Sequence, residues 1–350
     1  YDMFNYKITK KIKYMKEYEK SIINLLNNLD YKKYQVDLYL FNNNNFYDVP
    51  ENVNIIYLDK PNKFLKFIPF NIVYKIYNPK LEEKKYNVSI DFDSYQMHTA
   101  IGALKCNSNK KVIWVHNDVY IKLKEEVKYR ILHFFFKSKY KKFDSFVAVS
   151  DGALSSFKKL YNYENKQYDV IPNYIDTNEI KKKLKENVKI EIDNKKVNIV
   201  SVGRLCHQKG FDILLENINK LKEYRKDFHL YIIGDGPDKS KLTDLVKKYD
   251  ISSYVTFLGN QKNPFKYMKK MDLFYLSSRY EGQGMVILEA KSVGLDILIP
   301  KHLEKYCPNV QGEEDIIQFL KDYKKKKRKE FDSLDCYNNE IKSKIDKLFS

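Results

Sequence analysis

Glycine is scarce in this chain of 350 residues: there are 11, none before Gly102, and nine at or after Gly203. Glycine is used where backbone must turn sharply or come close to a ligand, so the skew assigns any phosphate-binding backbone to the second half. It also excludes a dinucleotide fingerprint of the G-x-G-x-x-G kind from the first half. Cysteine is sparse too. Cys106, Cys206, Cys307 and Cys336 share no short spacing, which excludes a zinc ribbon, a CxxC redox pair and a disulfide framework and leaves ordinary reduced thiols. No stretch of about 18 uninterrupted apolar residues exists, and the opening Tyr1-Asp2-Met3 lacks the apolar region of a signal peptide. A cytoplasmic protein is the expectation. No internal repeat is visible.

Acidic residues are outnumbered. The formal net charge is +18 and the pI is near 9.3, which fits a nucleic acid, an anionic membrane face or a phosphate-bearing substrate as partner. Lys, Asn, Ile and Tyr are abundant together, so codon bias from an AT-rich genome explains the Lys excess equally well. The run Lys324 to Lys329 reads as a solvated helix face. It lacks the aromatic interleaving of single-strand binders, and nucleic acid is not an expected partner.

The length predicts two domains. Short apolar strands alternate with helices from about residue 15, the signature of parallel sheets with crossover helices. First-half strand candidates are Gln35 to Phe41, Val53 to Leu58, Val88 to Phe92, Val112 to Val115 and Phe146 to Val149. Helical periodicity covers Lys16 to Leu29 and a longer stretch, Asp118 to Phe136, and Ser150-Asp151 caps a helix running to about Leu160. Asn42 to Asn45 is a short polar loop. After a polar segment at Thr177 to Lys196, strands are expected at Val197 to Val202, Phe228 to Ile233, Tyr254 to Leu258, Leu273 to Leu276 and Asp296 to Ile299. The tail from Glu313 to Ser350 looks helical.

Five segments carry chemistry. In the stretch Ser201 to Gly210, a strand opens into a helix whose free backbone N–H groups suit an anion. Arg204 and Lys209 there flank a diphosphate, or are simply two surface cations. In Tyr280 to Ala290, Gly282 and Gly284 let backbone approach a ligand, Glu281 lies in a loop, and Glu289 is an acid among Met285, Val286, Ile287, Leu288 and Ala290. Burying it is costly unless it accepts hydrogen bonds, for which sugar hydroxyls are suitable donors; a solvent-facing position is the alternative. Gly234-Asp235-Gly236-Pro237 is mostly turn chemistry with a lesser ligand role. At Phe257-Leu258-Gly259 a strand end could face a nucleobase, or simply leave the sheet. Trp114-Val115-His116-Asn117-Asp118 ends a strand at what should be a cleft edge.

Gly203-Arg204 with Lys209-Gly210, Gly234 to Pro237, Phe257 to Gly259, and Glu281 with seven residues before Glu289 occur in order over about 90 residues. In this they resemble the family 4 (group 1) glycosyltransferases of GT-B fold. Ile171 to Asp176 is similar to that family's interdomain segment, as is the helix with Glu19-Lys20-Ser21 to its counterpart. The resemblance implies an α/β protein of two Rossmann-like domains facing a cleft, and a retaining transfer from a nucleoside-diphosphate sugar, most commonly a UDP-sugar, with no cofactor and no bound metal. It implies that Arg204 and Lys209 neutralise the leaving diphosphate with the backbone N–H groups of Gly284, Met285 and Val286, that Glu281 meets the donor sugar and Glu289 the ribose. Gly203, Asp235, Leu258 and Gly282 belong to the same donor site. His116 would lie near the donor sugar, with Asp93 and Asn117 on the acceptor side.

The domain boundaries expected are 1–173 for an acceptor-side domain, 174–196 for a linker, 197–325 for the nucleotide-sugar domain and 326–350 for a helical tail returning toward the first domain. Family members usually begin with a strand and a Gly-Gly loop, and Lys16-Glu17 stand where that pair would be. The first strand is therefore expected to be missing or divergent. The acceptor is expected to be a glycan or a lipid-linked glycan of bacterial envelope polysaccharide synthesis, with the basic first domain peripheral on the anionic inner face of the plasma membrane. The competing reading is a non-catalytic protein of the same fold acting as a binding partner or scaffold.

Overall fold

A computed structural model describes residues 17–41, 48–59, 61–188, 190–307 and 309–349. The expected site of the missing first strand and the polar loop at Asn42 to Asn45 lie outside the described residues. The chain divides into two compact units, Tyr1–Tyr174 with Cys336–Ser350, and Ile175–Asp335.

The first unit begins with α1 (Glu17–Leu26), then β1 (Val36–Leu40) and β2 (Val53–Tyr57), which pair parallel as a two-stranded sheet. After α2 (Phe70–Ile76) comes a four-stranded parallel sheet in the order β3 (Tyr86–Asp91), β4 (Ser108–Val115), β5 (Ser145–Ala148), β6 (Gln167–Val170). The crossovers are α3 (Met97–Lys105), α4 (Val119–Glu125) with α5 (Val127–Phe136), and α6 (Asp151–Lys158). Val112 to Val115 and the whole of β5 are buried, as expected of strands covered on both faces. The Tyr86 hydroxyl donates to Asp37 Oδ2 at 2.6 Å and lies 2.9 Å from that of Tyr39, which ties the small sheet to the large one.

Two features of the first unit depart from the sequence reading. The single helix expected over Asp118 to Phe136 is broken at Glu126, whose backbone is extended (φ −113°, ψ 99°). The break leaves α4 against α6 while α5 packs on a 3-10 turn at Lys63–Phe67. Strand β6 was not expected, because an edge strand exposed at alternate positions needs no continuous apolar run.

The second unit carries α7 (Thr177–Leu184) inside the segment read as a linker, then β7 (Val197–Val202), α8 (Phe211–Leu221), β8 (Phe228–Ile233), α9 (Lys239–Lys248), β9 (Val255–Gly259), α10 (Phe265–Met268), β10 (Leu273–Tyr275), α11 (Met285–Ser292), β11 (Asp296–Leu298) and α12 (Ile316–Asp322). Its sheet is parallel throughout, in the order β11-β10-β7-β8-β9. Strands β7 and β8 fall on the residues expected. The basic run does not form a helix. It has no regular secondary structure, with Lys325 on Asp272 at 3.0 Å, Lys329 on Asp296 at 3.1 Å and Arg328 donating to the Met271 carbonyl. Carboxylates at the amino ends of β10 and β11 hold the cations in a strap, and local helical propensity yields to them.

The last helix, α13 (Asp335–Phe349), belongs to the first unit. Ile341, Ile345 and Leu348, at helical spacing, join that unit's hydrophobic core. Tyr337 donates to the Asn173 carbonyl at 2.9 Å and Lys33 pairs with Asp346 at 2.8 Å.

Candidate active site

The order of the second sheet makes its site predictable. The chain leaves β7 toward β8 and β9 on one side, then returns to lay β10 and β11 on the other. The loops after β7 and β10 therefore part in opposite directions at the carboxyl ends of adjacent strands, and in open α/β sheets ligands bind at that switch point. The first of these loops contains Gly203, Arg204 and Lys209; the second contains Glu281, Gly282 and Gly284.

The two loops are joined by a buried ion pair. Lys209 Nζ lies 2.9 Å from Glu281 Oε1 and 3.0 Å from Oε2, with side-chain exposures of 8% and 1%. Ser278 Oγ donates to Glu281 Oε1 at 2.5 Å, and His302 Nε2 is 3.0 Å from the Ser278 carbonyl. Backbone and side chains fasten the same seam: Arg279 N donates to the Gln208 carbonyl at 2.8 Å, Gln208 Nε2 to the Tyr280 carbonyl at 3.2 Å, and Ser277 Oγ to the Lys209 carbonyl at 3.2 Å. Arg279 also forks onto both oxygens of Asp212 at 2.8 and 2.7 Å, and this contact holds the Asp212 carboxyl below the usual range.

Glycine is obligatory at two points of this seam. Gly210 has φ 61°, and a Cβ there would stand 2.2 Å from the Ser277 carbonyl oxygen. Gly234 has φ 147°, and a Cβ would stand 1.9 Å from the Gly203 carbonyl oxygen. The Gly234 to Pro237 turn thus abuts the Gly203 loop backbone to backbone, with Leu205 N donating to the Asp235 carbonyl at 3.0 Å and Gly234 N to the Gly259 carbonyl at 2.8 Å. The Asp235 carboxylate accepts from Gly236 N at 2.8 Å. Gly210→Ala is expected to cost about 2 kcal/mol through left-handed strain and displacement of the β10 loop, read as faster hydrogen exchange of the β7 and β8 amides. Unchanged exchange there would mean that the loops are not held by this contact.

Helix α11 starts at Gly284 and aims its N-terminus at the same end of the sheet. Glu289 is buried at 7% exposure, so the solvent-facing alternative does not hold. Met285 and Val286 are half-buried in its first turn, Leu258 is half-buried on β9, and Arg204 is exposed. Cys307 packs against Gly284, and burial, reinforced by the Glu281 carboxylate, raises its thiol far above the ordinary range. It is a neutral wall of the site. Ser278, Arg279 and His302 were not found by sequence reasoning; two serines directly after a strand were the only signal.

In the first unit, Asp93 follows β3, while His116 and Asn117 follow β4, at the carboxyl ends of adjacent strands. The His116 ring meets that of Phe92 with centroids 4.5 Å apart. Asp93 accepts from Tyr95 N at 3.2 Å and Gln96 Nε2 at 2.7 Å, and Asn117 Oδ1 from Asp118 N at 2.9 Å. Beneath them Lys139, with no exposed surface, donates to the Ser94 carbonyl at 2.6 Å and lies 3.7 Å from the equally buried Asp91 carboxylate. Burial pushes the Lys139 ammonium down and the Asp91 carboxyl up, each opposed by the other's charge. Among the described residues no group of His, Cys, Asp or Glu side chains gathers as a metal site requires, and no helix is long and apolar enough to cross a membrane.

Two family models match the chain: glycosyl transferases group 1 over residues 182–303 and glycosyltransferase family 4 over residues 18–179. A glycosyltransferase of Methanocaldococcus jannaschii is 27% identical over 195 residues, which cover 55% of this chain and 48% of that protein. The chain thus spans about half the length of that relative. The N-acetylgalactosamine-N,N'-diacetylbacillosaminyl-diphospho-undecaprenol 4-alpha-N-acetylgalactosaminyltransferase of Campylobacter jejuni is 26% identical over 276 residues, covering 77% of this chain and 73% of the relative. Among solved structures, Anabaena Alr3699/HepE in complex with UDP-glucose superposes with a TM-score of 0.58 at 15% identity, over 88% of this chain and 86% of that one. WaaG, a glycosyltransferase involved in lipopolysaccharide biosynthesis, superposes at 0.56 and 16% identity, with the same coverage of 88% and 86%. These structural likenesses show the fold.

Proposed function

The chain belongs to the family 4 (group 1) glycosyltransferases of GT-B fold, and from that premise we propose that it is a retaining transferase moving a sugar from a nucleoside diphosphate, UDP in the first instance, to a glycan or lipid-linked acceptor of bacterial envelope polysaccharide. The observation that carries this reading is the Lys209–Glu281 pair, which joins the two loops at the switch point of the second sheet. A diphosphate leaving group develops negative charge, and fixed cations with a helix N-terminus stabilise it without reorganising at the moment of reaction. Arg204, Lys209 and the first-turn N–H groups of α11 supply that environment. Glu281, held by Ser278 and Lys209, has its carboxylate oriented before any sugar hydroxyl arrives. Glu289, one turn into α11 and out of solvent, accepts from the ribose.

A resident metal is not part of this reading, since the cations would do the neutralising. UDP is chosen because HepE was solved with UDP-glucose. The acceptor class follows the printed activity of the Campylobacter relative, whose acceptor is a diphospho-undecaprenol glycan, and the lipopolysaccharide role of WaaG. We assign the acceptor to the strand ends of the first unit that carry Asp93, His116 and Asn117, and with a lipid-linked acceptor the protein works at the inner face of the plasma membrane.

Calorimetric titration of the full chain with UDP, GDP, ADP and NAD tests the donor. One nucleoside diphosphate is expected to bind, and Arg204→Ala and Glu289→Ala each to weaken it. For Arg204→Ala the loss should be about 1.5–3 kcal/mol, the worth of a charged hydrogen bond. Binding by none of the four would sink the transferase and leave a non-catalytic protein of the same fold.

A further inference from the structure

Large hydrophobic side chains are exposed on the first unit in a concentrated way. Among the described residues nine such side chains are exposed, and seven of them lie on three segments that touch. Helix α5 carries Val127, Ile131 and Phe134 at i, i+4 and i+7, a stripe opposite the face that buries Tyr129, His133 and Phe136. The 3-10 turn packed on α5 exposes Phe64 at 76% and Phe67 at 49%, and the Phe67 ring meets that of Phe135 with centroids 6.3 Å apart. Helix α2, which exposes Ile72 and Ile76, packs on the turn that continues α5, Lys137–Lys142. A patch of this kind marks an interaction surface.

Its charge is of one sign. Residues 63–76 and 127–142 contain nine Lys and Arg and no Asp or Glu, and of these cations only Lys139 is buried. Several stand beside the exposed rings: Lys66 Nζ is 4.9 Å from the Phe67 centroid and Lys137 Nζ is 5.3 Å from that of Phe134. A second copy meeting this patch face to face would set cations against cations. A nucleic acid would use the cations and the Phe rings, yet it gains nothing from exposed Ile72, Ile76, Val127 and Ile131. A bilayer uses both, because apolar side chains enter the acyl boundary while Lys and Arg stay among anionic headgroups.

We propose that α2, the Lys63–Phe67 turn and α5 form a shallow membrane-insertion face selective for anionic lipid. This deepens the membrane contact proposed above, and it does not depend on the donor site. The full chain is expected to sediment with vesicles containing phosphatidylglycerol and to stay in solution with phosphatidylcholine alone, with the bound fraction falling as salt rises. Phe64→Ser/Phe134→Ser should lower the vesicle partition coefficient by about tenfold or more, since ring burial in the interface is lost. Tyr224→Ser, an exposed aromatic of the second unit, should leave it unchanged. All substituted side chains are exposed, so melting and UDP titration should match the parent chain, which separates failure of this surface from failure of the donor site. No sedimentation by the parent chain overturns the proposal. So does retention by the double Phe variant, which would mean surface adsorption by charge alone. Two further outcomes also overturn it: self-association that the double variant abolishes, or RNA competing the protein off vesicles while binding unaltered to the double variant.

Discussion

Lys209→Met is expected to destabilise the second unit by about 3–5 kcal/mol and to abolish measurable nucleotide binding. The wild-type ammonium and the Glu281 carboxylate are 2.9 Å apart with almost no exposed surface, so removing one leaves the other charged and without solvent. Glu281→Leu should cost a similar amount. The double variant Lys209→Met/Glu281→Leu should recover much of the stability, because both charges are gone and the apolar replacements fill comparable volume. It should recover none of the nucleotide affinity, because the charge proposed to meet the diphosphate is gone too. This split between stability and binding distinguishes a functional pair from a structural one. Hydrogen exchange of the β7 and β8 amides reads the first quantity and calorimetric titration the second. A double variant that binds nucleotide as the wild type does would remove Lys209 and Glu281 from the donor site.

The second large effect belongs to the first unit. Lys139→Met keeps an unbranched apolar side chain in place but removes the ammonium from the Ser94 carbonyl, from Asp91 and from the Phe136 and Tyr140 rings. At neutral pH the loss should again be about 3–5 kcal/mol, since Asp91 is left as a buried carboxylate. The cost should depend on pH with a definite sign. Burial already raises the Asp91 carboxyl above its ordinary value, and without Lys139 it rises further, so the folded variant holds a proton that the unfolded chain releases. That contribution is complete below the ordinary carboxylate value and is lost as pH rises through the folded one, so the variant should be relatively more stable in acid. Asp91→Asn in the same background should remove the pH dependence. The single tryptophan of the chain, Trp114, lies against Phe92 in this unit with ring centroids 5.1 Å apart, and its fluorescence reports the unfolding directly. A Lys139→Met variant that melts with the wild type at every pH would show that the pair is not desolvated.

Much of the second unit's architecture was legible in the sequence. Strands such as Val197–Val202 and Phe228–Ile233 are mostly apolar, interrupted only by Asn198, Ser201 and His229, because both faces of a parallel sheet are covered. The glycines concentrate where the backbone of one loop lies against another, at Gly210 and Gly234. Glu289 stood out as an acid in an apolar stretch, and its burial follows from that setting. Ser278, Arg279 and His302 were not legible, since their partners lie some 24 to 72 residues away or depend on loop geometry. The non-helical basic strap is not legible for the same reason: Asp272 and Asp296, which hold it, lie at the starts of two strands distant in sequence.

The sequence by itself determined the class of protein: parallel α/β units, with the glycines concentrated in the second half and the cations and acids of the proposed donor site in order. Periodicity and glycine placement are local properties, and a local pattern is enough to write them. Tertiary structure alone decided that Lys209 and Glu281 form one desolvated pair, that Lys139 is buried on Asp91, and that the apolar stripe of α5 faces outward beside the Phe64 turn. Each of these depends on which distant segment occupies the neighbouring space, and desolvation, which sets the energy of a charge, is a property of that space and of no single stretch of chain.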